Sequence, residues 1–401
     1  MGRWAASRRS GSGSEGPSQA VLRFEVLGGE AGGHARLGRM TLDHGVVETP
    51  AFMPVGTGGT VKAARHRDLE EAGASILLAN TYHLMLRPGG DSIRRMGGLH
   101  RFIGWNRPIL TDSGGFQVMS LAANRTVSEE GALFRSHVDG SRHLLTPEKA
   151  ASLQVVDFGV DVAMVLDECP PWPASLGELR VSMERTHRWA KRGREEFERV
   201  REHRKSAQFG IVQGGMDPAL RAESAAAVSA LGFEGVACGG VSVGEPKELM
   251  RATVEAIGPL LPKGRPRYLM GVGRPDDLVH AVAHGFDLFD CVLPTRAARH
   301  GLLYLPGREE GTVVIKQSRY REDLSPPDPD CSCSTCRRHS RAYLRHLYVS
   351  GEPTAATLMT VHNLHAILDL MRGIREALAA KRFETWAAGF PDSPGLGKDS
   401  R

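Results

Sequence analysis

The chain has 401 residues, 41% of them hydrophobic, which is enough to bury a substantial core in one large α/β barrel or in two ordinary domains. With 51 Lys and Arg against 46 Asp and Glu, the net charge of +5 permits a polyanionic partner without requiring one. No run approaches about eighteen consecutive apolar residues, and the Arg-, Gly- and Ser-rich N-terminus lacks an apolar core, so we expect neither a membrane span nor a secretory signal.

The first 19 residues read as a disordered tail, and antiparallel hairpins are predicted after it. From Ala20 to Thr49, segments rich in β-formers alternate with Gly and His-Gly turns. The pattern then changes to short apolar runs separated by stretches of helical periodicity such as RHRDLEEAG, TPEKAASLQVVDFG, DPALRAESAAAVSALG and RPDDLVHAVAHG. Alternation of short strands with helices predicts a parallel sheet.

Eight apolar runs are candidate strands, and each ends in small and polar residues. In a (β/α)₈ TIM barrel the active site is assembled from loops at the C-terminal ends of the strands, which predicts this feature; an open doubly wound sheet would concentrate its site at one switch point. We therefore predict the α/β class and a (β/α)₈ TIM barrel. The runs are AFMPVGTGGT, SILLANTYH, RPILTDSGGFQ, VAMVLDEC, FGIVQGG, GVACGGVSVGE, RYLMGVG and FDLFDCVLPTR.

The barrel rhythm is interrupted twice. The charged segment between Ala174 and Lys205 has apolar residues at helical spacing and predicts a helix with a solvated face. Residues 306–329 break the rhythm and lead into a cysteine cluster, so we predict an inserted C-terminal zinc-binding subdomain over 306–365. The expected organisation is a single catalytic domain over 20–390, followed by a frayed tail over 391–401.

Asp112 ends a candidate strand in LTDSGGF and is followed by Ser113, Gly114 and Gly115. The glycines let backbone N–H groups approach a ligand closely, and Phe116 offers a face on which a base can stack. A tight turn in which Asp112 caps the next helix explains the same residues equally well.

Asp167 ends a second run, and Gln213 with Gly214 and the pair Gly239-Gly240 end two more. An acid that follows five apolar residues must be hydrogen-bonded or bind something. A carboxylate, a carboxamide and exposed peptide groups can together read the edge of a purine. Taken singly, each of these polar residues could equally be a buried strand-end residue that hydrogen-bonds to a local partner. Because such residues recur on successive strands, we favour a base-binding site.

Asp290 closes the run FDLFD. A carboxylate that is ionised at neutral pH can attack an anomeric carbon, and a second carboxyl such as Asp112 can then handle the proton of the departing base. The alternative is a structural ion pair between Asp290 and Arg296 or Arg299. The two arginines, with His300, and a second group of arginines beside the cysteine cluster (Arg337, Arg338, Arg341 and Arg345) also suit phosphate contact.

The six cysteines include three, Cys331, Cys333 and Cys336, that lie too close together for an ordinary disulfide framework. Reduced thiols and a cytoplasmic setting are expected. Three thiolates and one imidazole form a closed tetrahedral zinc site, which leaves no position for a catalytic water, so one structural Zn²⁺ per chain is predicted. Spacing leaves the imidazole open between His362, on a predicted amphipathic helix, and the nearby histidines His339, His346 and His365.

In this order, the motifs resemble the tRNA-guanine transglycosylase (queuine tRNA-ribosyltransferase) family, bacterial type, from about Phe24 to Phe383. The resemblance rests on AFMPVGT, ANTYHLMLRPG, LTDSGGFQVMSL, DECPPWPA, QGG, YLMGVG, FDCVLPTR and CSCSTC with VHN. It implies a pentosyltransferase that breaks the glycosidic bond of the guanosine at the anticodon wobble position (position 34) and holds the tRNA covalently until an incoming base displaces the enzyme.

The resemblance also implies residue roles. Asp290 becomes the nucleophile and Asp112 the general acid/base; Asp167, Gln213 and Gly240 read the base, and Phe116 and Met270 sandwich it. His362 becomes the fourth zinc ligand. The predicted substrate-binding set is Asp112, Ser113, Gly114, Gly115, Phe116, Asp167, Cys169, Gln213, Gly239, Gly240, Val241 and Met270, and the predicted RNA-binding set is Gly271, Val272, Gly273, Arg274, Thr295, Arg296, Arg299 and His300.

Cys169 and Val243 resemble the bacterial form, whereas the eukaryotic catalytic subunit has Val and Gly. The larger side chains would crowd the cyclopentenediol of queuine, so the implied substrate is 7-aminomethyl-7-deazaguanine (preQ1). The resemblance also implies a homodimer that acts in queuosine biosynthesis. Its tRNA substrates would be those for Asp, Asn, His and Tyr, which share GUN anticodons. Gly58, Val241 and the Arg-Ala-Ala-Arg-His run after Thr295 depart from the usual family pattern and leave the contacts to the base amine and the anticodon loop open.

Two other functions fit parts of the sequence. A non-catalytic tRNA-binding subunit would explain the basic groups, although it would not need both Asp112 and Asp290. A nucleosidase that releases the base to water would use the same two carboxyls.

Overall fold

The computed structural model describes residues 21–29, 33–121, 125–201 and 204–392. The described strands are β1 (Arg23–Gly29), β2 (Arg36–Leu42), β3 (Gly45–Thr49), β4 (Ala51–Met53), β5 (Leu77–Asn80), β6 (Ile109–Asp112), β7 (Thr126–Val127), β8 (Ala132–Arg135), β9 (Arg142–Leu145), β10 (Val162–Met164), β11 (Ala207–Val212), β12 (Gly235–Cys238), β13 (Arg267–Leu269), β14 (Leu288–Asp290), β15 (Leu302–Tyr304) and β16 (Thr312–Val314).

Helices separate most of the strands. They are α1 (His66–Glu71), α2 (Thr81–Leu86), α3 (Gly90–Arg95), α4 (Leu99–Ile103), α5 (Gly115–Leu121), α6 (Pro147–Ser152), α7 (Leu176–Arg201), α8 (Pro218–Ala230), α9 (Lys247–Ile257), α10 (Pro275–Ala283), α11 (Leu293–Arg299), α12 (Ser334–Arg338), α13 (Arg341–Val349), α14 (Pro353–Ala379) and α15 (Phe383–Ala388). A π-helix (Leu153–Phe158) continues α6, and single 3₁₀ turns lie at Gly258–Leu260 and Ser318–Tyr320. No described helix is long and apolar enough to cross a membrane.

Eight parallel strands form the barrel, and all eight coincide with the predicted apolar runs. Their order is β4-β14-β13-β12-β11-β10-β6-β5. A parallel bridge between Val55 and Leu78, just beyond β4 and within β5, brings the two edges of the sheet together. The predicted TIM barrel is confirmed. Because the strands are parallel, Asp112 and Asp290, which end β6 and β14, lie at the same, C-terminal, face of the barrel.

The N-terminal segment forms the predicted antiparallel hairpins. Strands β1, β2 and β3 pair in that order, with Thr41 opposite Val46 and Leu42 opposite Gly45 across the turn. Arg36 of β2 forms an ion pair with the buried Asp287, which lies directly before β14. The small sheet is thereby fixed to the N-terminal end of the barrel.

A second small sheet, β7-β8-β9, lies between α5 and α6 and was not predicted. Its signal is local: Ala132 and Phe134 are buried while Leu133 and Arg135 are exposed, and the strands β8 and β9 are joined through Asp139 and Gly140, whose φ is +75°. Strict alternation flanking an Asp-Gly turn is typical of a hairpin.

The chain beyond the barrel has a separate hydrophobic core. Strands β15 and β16 pair antiparallel, α14 packs against β15, and α12 and α13 pack against α14. The apolar residues of this core run from Ala298 to Met359 and include Leu303, Ile315 and Leu344. The proposed subdomain bounds of 306–365 remain a prediction, and the predicted N-terminal tail and most of the C-terminal tail lie outside the described residues.

Candidate active site and metal centre

Asp290 ends β14 at the mouth of the barrel and is half-buried. Its Oδ1 accepts hydrogen bonds from the Tyr268 hydroxyl, at 2.6 Å, and from the Gly271 amide, at 2.9 Å. Burial raises the pKa of this carboxyl, while these two donors oppose the rise. Within the described ranges no arginine or lysine pairs with Asp290, so the alternative of an ion pair to Arg296 or Arg299 is wrong. Both of these hydrogen bonds go to Oδ1, and among the described residues none donates to Oδ2.

Asp112 is buried at the end of β6 and is surrounded by donors. Thr81 and Gly114 donate backbone N–H groups to Oδ1 at 2.9 and 3.2 Å, and the side-chain amides of Gln117, at 2.9 Å, and Asn80 donate to Oδ2. Burial raises the pKa of Asp112 to about 6, since it outweighs these hydrogen bonds, and the nearby Asp290 charge adds to the rise. The carboxylate thus holds the starts of α2 and α5 and also sits in the electrostatic field of Asp290.

Asp167 and Gln213 form one unit at the ends of neighbouring strands β10 and β11. The Gln213 amide nitrogen donates to Asp167 Oδ2 at 2.7 Å. Burial raises the pKa of Asp167 to about 6. The other amide atom, Gln213 Oε1, is buried and has no hydrogen-bond partner among the described residues. An orphaned buried acceptor costs about 1–3 kcal/mol, which indicates a position that a ligand fills.

Glycines surround this unit because nothing larger fits. A Cβ on Gly240, whose φ is +65°, would lie 2.4 Å from Gln213 Oε1, and one on Gly239 would lie 2.8 Å from Gln213 Nε2. A Cβ on Gly115 would lie 2.7 Å from the Asp167 carbonyl oxygen. The three glycines leave a flat, peptide-lined space beside a carboxylate and a carboxamide.

Other predicted base-site residues lie around this space. Phe116, at the start of α5, is 51% exposed although it is aromatic, and Met270, directly after β13, is half-buried. Cys169 is buried, and Val243 lines a narrow cavity of about 10 Å³ together with Gln213, Gly240, Pro170 and Trp172. Ser113 and Val241 are also buried.

The predicted RNA-binding residues divide by exposure. Arg296 and His300 are exposed on and after α11, and Arg299 donates to the Thr295 carbonyl oxygen at 2.9 Å. Val272 and Thr295 are buried, so their side chains face the core. Gly273 packs so closely that a Cβ would lie 2.2 Å from Cys291 Cβ. Only part of this set therefore offers side chains to a bound polyanion.

The cysteine cluster converges on His362. One ligand atom from each of Cys331, Cys333, Cys336 and His362 lies within 4.8 Å of the others, and the last three residues are buried. His362 Nδ1 is 3.2 Å from Cys336 Sγ, and its Nε2 donates to the Tyr304 carbonyl oxygen at 2.9 Å. That hydrogen bond fixes the tautomer and leaves Nδ1 as a ligand, as second-shell partners do in zinc sites. The donor set fits Zn²⁺.

The other candidate histidines do not complete this set. His365 contacts Cys331 from the side, with Nδ1 3.5 Å from Sγ, and its Nε2 is 3.3 Å from the Ser332 hydroxyl. His339 stacks on Tyr343, and His346 is exposed on α13. The geometry therefore selects His362 where spacing alone could not.

Three side chains that hold the two carboxylates were not singled out from the sequence. They are Tyr268, which contacts Asp290, and Asn80 and Gln117, which contact Asp112. Asn80 carried a usable signal, since it is a polar residue at the end of the apolar run SILLAN. Tyr268 stands inside the run RYLMGVG, where a buried aromatic residue is ordinary core, so nothing local marked it.

Comparison with known proteins agrees with this geometry. The family described as Queuine tRNA-ribosyltransferase matches residues 31–393. A queuine tRNA-ribosyltransferase of Desulforudis audaxviator is 53% identical over 369 residues, covering 92% of this chain and 97% of its own. Those of Janthinobacterium sp. (52% identical, 92% of this chain and 98% of its own) and Moorella thermoacetica (50%, 94% and 99%) are similarly close. The chain therefore belongs to the queuine tRNA-ribosyltransferase family of pentosyltransferases.

Proposed function

We propose that the protein is a tRNA-guanine transglycosylase that exchanges the wobble guanine of GUN-anticodon tRNAs for preQ1, with Asp290 as covalent nucleophile. The observation that carries the proposal is the pairing of two uncompensated carboxyls, Asp290 and Asp112, at one end of the barrel. Each carboxyl accepts hydrogen bonds from neutral donors only. Burial disfavours the charged form of each and raises its pKa.

In the first displacement, Asp290 Oδ2 attacks C1′ of the nucleoside. The C1′–N9 bond breaks, its electron pair leaves with guanine, and protonated Asp112 donates its proton to the departing base, which leaves Asp112 ionised for the second displacement. Tyr268 and Gly271 hold Oδ1 and so aim Oδ2 at the sugar. In the second displacement, Asp112 accepts the N9 proton of the incoming base, N9 attacks C1′, and the Asp290–C1′ bond breaks. A carboxyl with a pKa of about 6 is well matched to moving this proton near neutral pH.

The base-reading groups suit a 2-aminopurine edge. The Asp167 carboxylate accepts from N1–H and the 2-amino group, and the Gln213 carboxamide and the Gly240 peptide meet the oxygen side. When N1–H and the 2-amino group of the base bind the Asp167 carboxylate, the Gln213 amide nitrogen that donates to this carboxylate is released and can rotate to donate to the base oxygen. Phe116 and Met270 are the two faces proposed to stack on the ring.

The substituent at the 7-position of the incoming base is proposed to be small. Val243 lines a cavity of only about 10 Å³, and the buried Cys169 interacts with the Gly240 backbone and the Gln213 side chain. An aminomethyl group is easier to place there than a cyclopentenediol. The variant pair Cys169→Val with Val243→Gly is expected to raise the ratio of kcat/KM for queuine over that for preQ1, and an unchanged ratio would contradict this part of the proposal.

The tRNA is proposed to lie across the mouth, with Arg296, Arg299 and His300 near its phosphates. The proposed zinc ligands come from α12, the residues just before it and the long helix α14, so a bound ion would link these two helices. The ion would take no part in the reaction, because protein ligands would fill all four coordination positions. The homodimer and the cytoplasmic setting remain predictions.

The direct test incubates the protein with G34-containing tRNA whose wobble guanine is labelled. Stoichiometric loss of label that requires added preQ1 supports exchange. Sustained guanine release without an incoming base would replace the proposal with a nucleosidase, and tRNA binding without any release would replace it with a non-catalytic subunit. A tRNA with adenosine at the wobble position is the matched control and is expected to retain its base.

A further inference from the structure

Two histidines and a glutamate form a cluster on the outside of the barrel, away from the mouth. His280 on α10 and His284, which caps α10, are four residues apart and therefore share one face of the helix. Their ring centroids are 4.5 Å apart. Glu255 approaches them from the neighbouring helix α9. The cluster precedes β14, so it lies near the N-terminal end of the strand whose other end carries Asp290.

The ligand atoms have the separations that a small ion requires. Glu255 Oε1 is 3.5 Å from His280 Nε2, and one ligand atom from each of the three residues lies within 4.8 Å of the others. Two ligands bound at about 2.0–2.1 Å to a tetrahedral Zn²⁺ lie roughly 3.3–3.4 Å apart. The Glu255–His280 separation is close to this value, and binding requires the other separations, which are at most 4.8 Å, to shorten to it by side-chain rotation.

The histidines are also in the correct form to bind a metal. His284 Nδ1 lies 2.8 Å from the His280 carbonyl oxygen, and because a carbonyl only accepts, this nitrogen carries the proton and Nε2 keeps its lone pair. His280 Nε2 is buried and has no hydrogen-bond partner among the described residues. The neighbouring Arg251 is paired with Asp276 and Asp277.

A third cluster shows what a satisfied arrangement looks like. His44 and His100 stack with centroids 3.6 Å apart, and each ring contacts one oxygen of Asp161. Both Asp161 oxygens are fully used, since they accept from the His44 ring and amide, from the His100 ring and from the Ile109 amide, at 2.9 to 3.1 Å. A metal would have to displace those hydrogen bonds. Glu255, by contrast, is 53% exposed and opposes an orphaned nitrogen.

We propose that Glu255, His280 and His284 form a second divalent-metal site that takes Zn²⁺ or a similar borderline ion and clips α9 to α10. Two imidazoles and a carboxylate leave one coordination position for water, and the exposed Glu255 carboxylate provides the path of entry. The site is distinct from the cysteine cluster in residues and in donor type. Its role is to stabilise the helix pair, because it lies near the opposite end of β14 from the mouth.

The test uses the full chain with its cysteine site loaded with zinc. After dialysis to remove loosely bound ions, zinc per chain is measured by elemental analysis, and ZnCl₂ is titrated in by calorimetry. One further equivalent per chain is expected to bind, and Co²⁺ titrated instead should give only weak d–d absorption, without the intense thiolate band that a cysteine site produces. Absence of a further equivalent would overturn the proposal.

Single variants locate the site. Glu255→Gln and His284→Gln are each expected to lose the second equivalent while keeping the first and the base-exchange activity. His346→Gln, which removes an exposed histidine outside the cluster, is the matched control and should bind like the parent protein. Because each of the two test residues is partly exposed, at least one variant should fold. Retention of the second equivalent in either folded variant would show that the ion binds elsewhere and would contradict the assignment.

Discussion

The two ends of strand β14 each carry an aspartate, and the two aspartates have different partners. Asp287, just before the strand, is fully buried and pairs with the guanidinium of Arg36, with Nε 2.9 Å from Oδ1. Asp290, three residues later, accepts only from a phenol and a peptide amide. Burial raises the pKa of both carboxyls, so the direction of the shift does not distinguish them. The charge of the partner does.

The same contrast holds elsewhere in the barrel. Before β10, Asp161 is bound by two histidines, and although burial opposes it, their hydrogen bonds hold the pKa of this carboxyl well below its usual range. After β10, Asp167 is bound by the neutral Gln213. Asp161 and Asp287, at the N-terminal end of the barrel, are thus held by basic side chains, whereas Asp112, Asp167 and Asp290, at the C-terminal end, are held by neutral donors. We interpret the first group as structural and the second as functional.

The largest expected effect comes from Asp290→Asn. The substitution removes the nucleophile while leaving an acceptor for Tyr268, so it should lower the rate of base exchange by on the order of 10⁴-fold or more. Single-turnover exchange of labelled preQ1 into tRNA measures this. The melting temperature is expected to change little, and a collapse of stability instead of activity would break the contrast with Asp287.

Asp287→Asn is the matched substitution at the other end of the strand. It leaves the buried Arg36 without a counter-charge, which should lower the free energy of unfolding by about 3–5 kcal/mol. Urea denaturation measures the loss. Below the unfolding transition, exchange per folded molecule should stay near that of the parent protein, so a loss of activity without a loss of stability would place Asp287 in the functional group.

The fold was largely predictable because its signals are local. All eight barrel strands followed from apolar runs with polar ends, and the N-terminal hairpins followed from alternation around turns. The sheet β7-β8-β9 was not predicted. Its alternation covers only a few residues on either side of Asp139-Gly140, and it lies between two strands of the parallel barrel in the sequence. The choice of His362 needed the fold or the family, since four histidines follow the cysteines at workable spacings.

The third effect is a pH dependence at the mouth. Asp112 and Asp167 both have a pKa raised to about 6 by burial, and the second displacement, in which preQ1 enters, needs both ionised. Protonation therefore blocks this step as the pH falls, and kcat/KM for preQ1 should decrease about hundredfold from pH 7 to pH 5. Asp112→Asn, although slower throughout, should fall only about tenfold over that range. Equal slopes would exclude Asp112 as one of the two titrating groups.

These raised pKa values also fix the sign of a stability effect. The ordinary value for Asp is 3.8, so the folded protein binds more protons than the unfolded chain between about pH 4 and 6. The contribution of Asp112 and Asp167 to stability must therefore decrease as the pH rises through this window. The Asp161 contribution has the opposite sign, because its pKa is lowered, and is lost only in stronger acid.

The smallest effect is expected from Tyr268→Phe. Losing one hydrogen bond to a charged oxygen costs about 1.5 kcal/mol, so kcat/KM should fall roughly tenfold. The pKa of Asp290 should rise, since the phenol opposes the effect of burial. Steady-state kinetics across pH reports both changes, and an unaltered kcat/KM would mean that Gly271 alone holds the nucleophile.

The site was predictable in its strand-end residues but not in their partners. Asp112, Asp167, Gln213 and Asp290 stand at the ends of apolar runs, where the barrel brings them together. Asn80, which holds Asp112, comes from the neighbouring strand β5, and Tyr268 meets Asp290 only because β13 and β14 are neighbours. The possible ion pair to Arg296 or Arg299 could be rejected only once the direction of Asp290 was known.

The central claim is that Asp290, and not Asp112, forms the bond to the ribose. The most direct test mixes tRNA with the protein, with Asp290→Asn and with Asp112→Asn, denatures each mixture without base, and separates the products on a gel. A slow-migrating protein–tRNA band that maps by mass spectrometry to the peptide containing Asp290 is expected for the parent protein, and no band is expected for Asp290→Asn. A covalent band in Asp290→Asn, or an adduct on Asp112, would contradict the account.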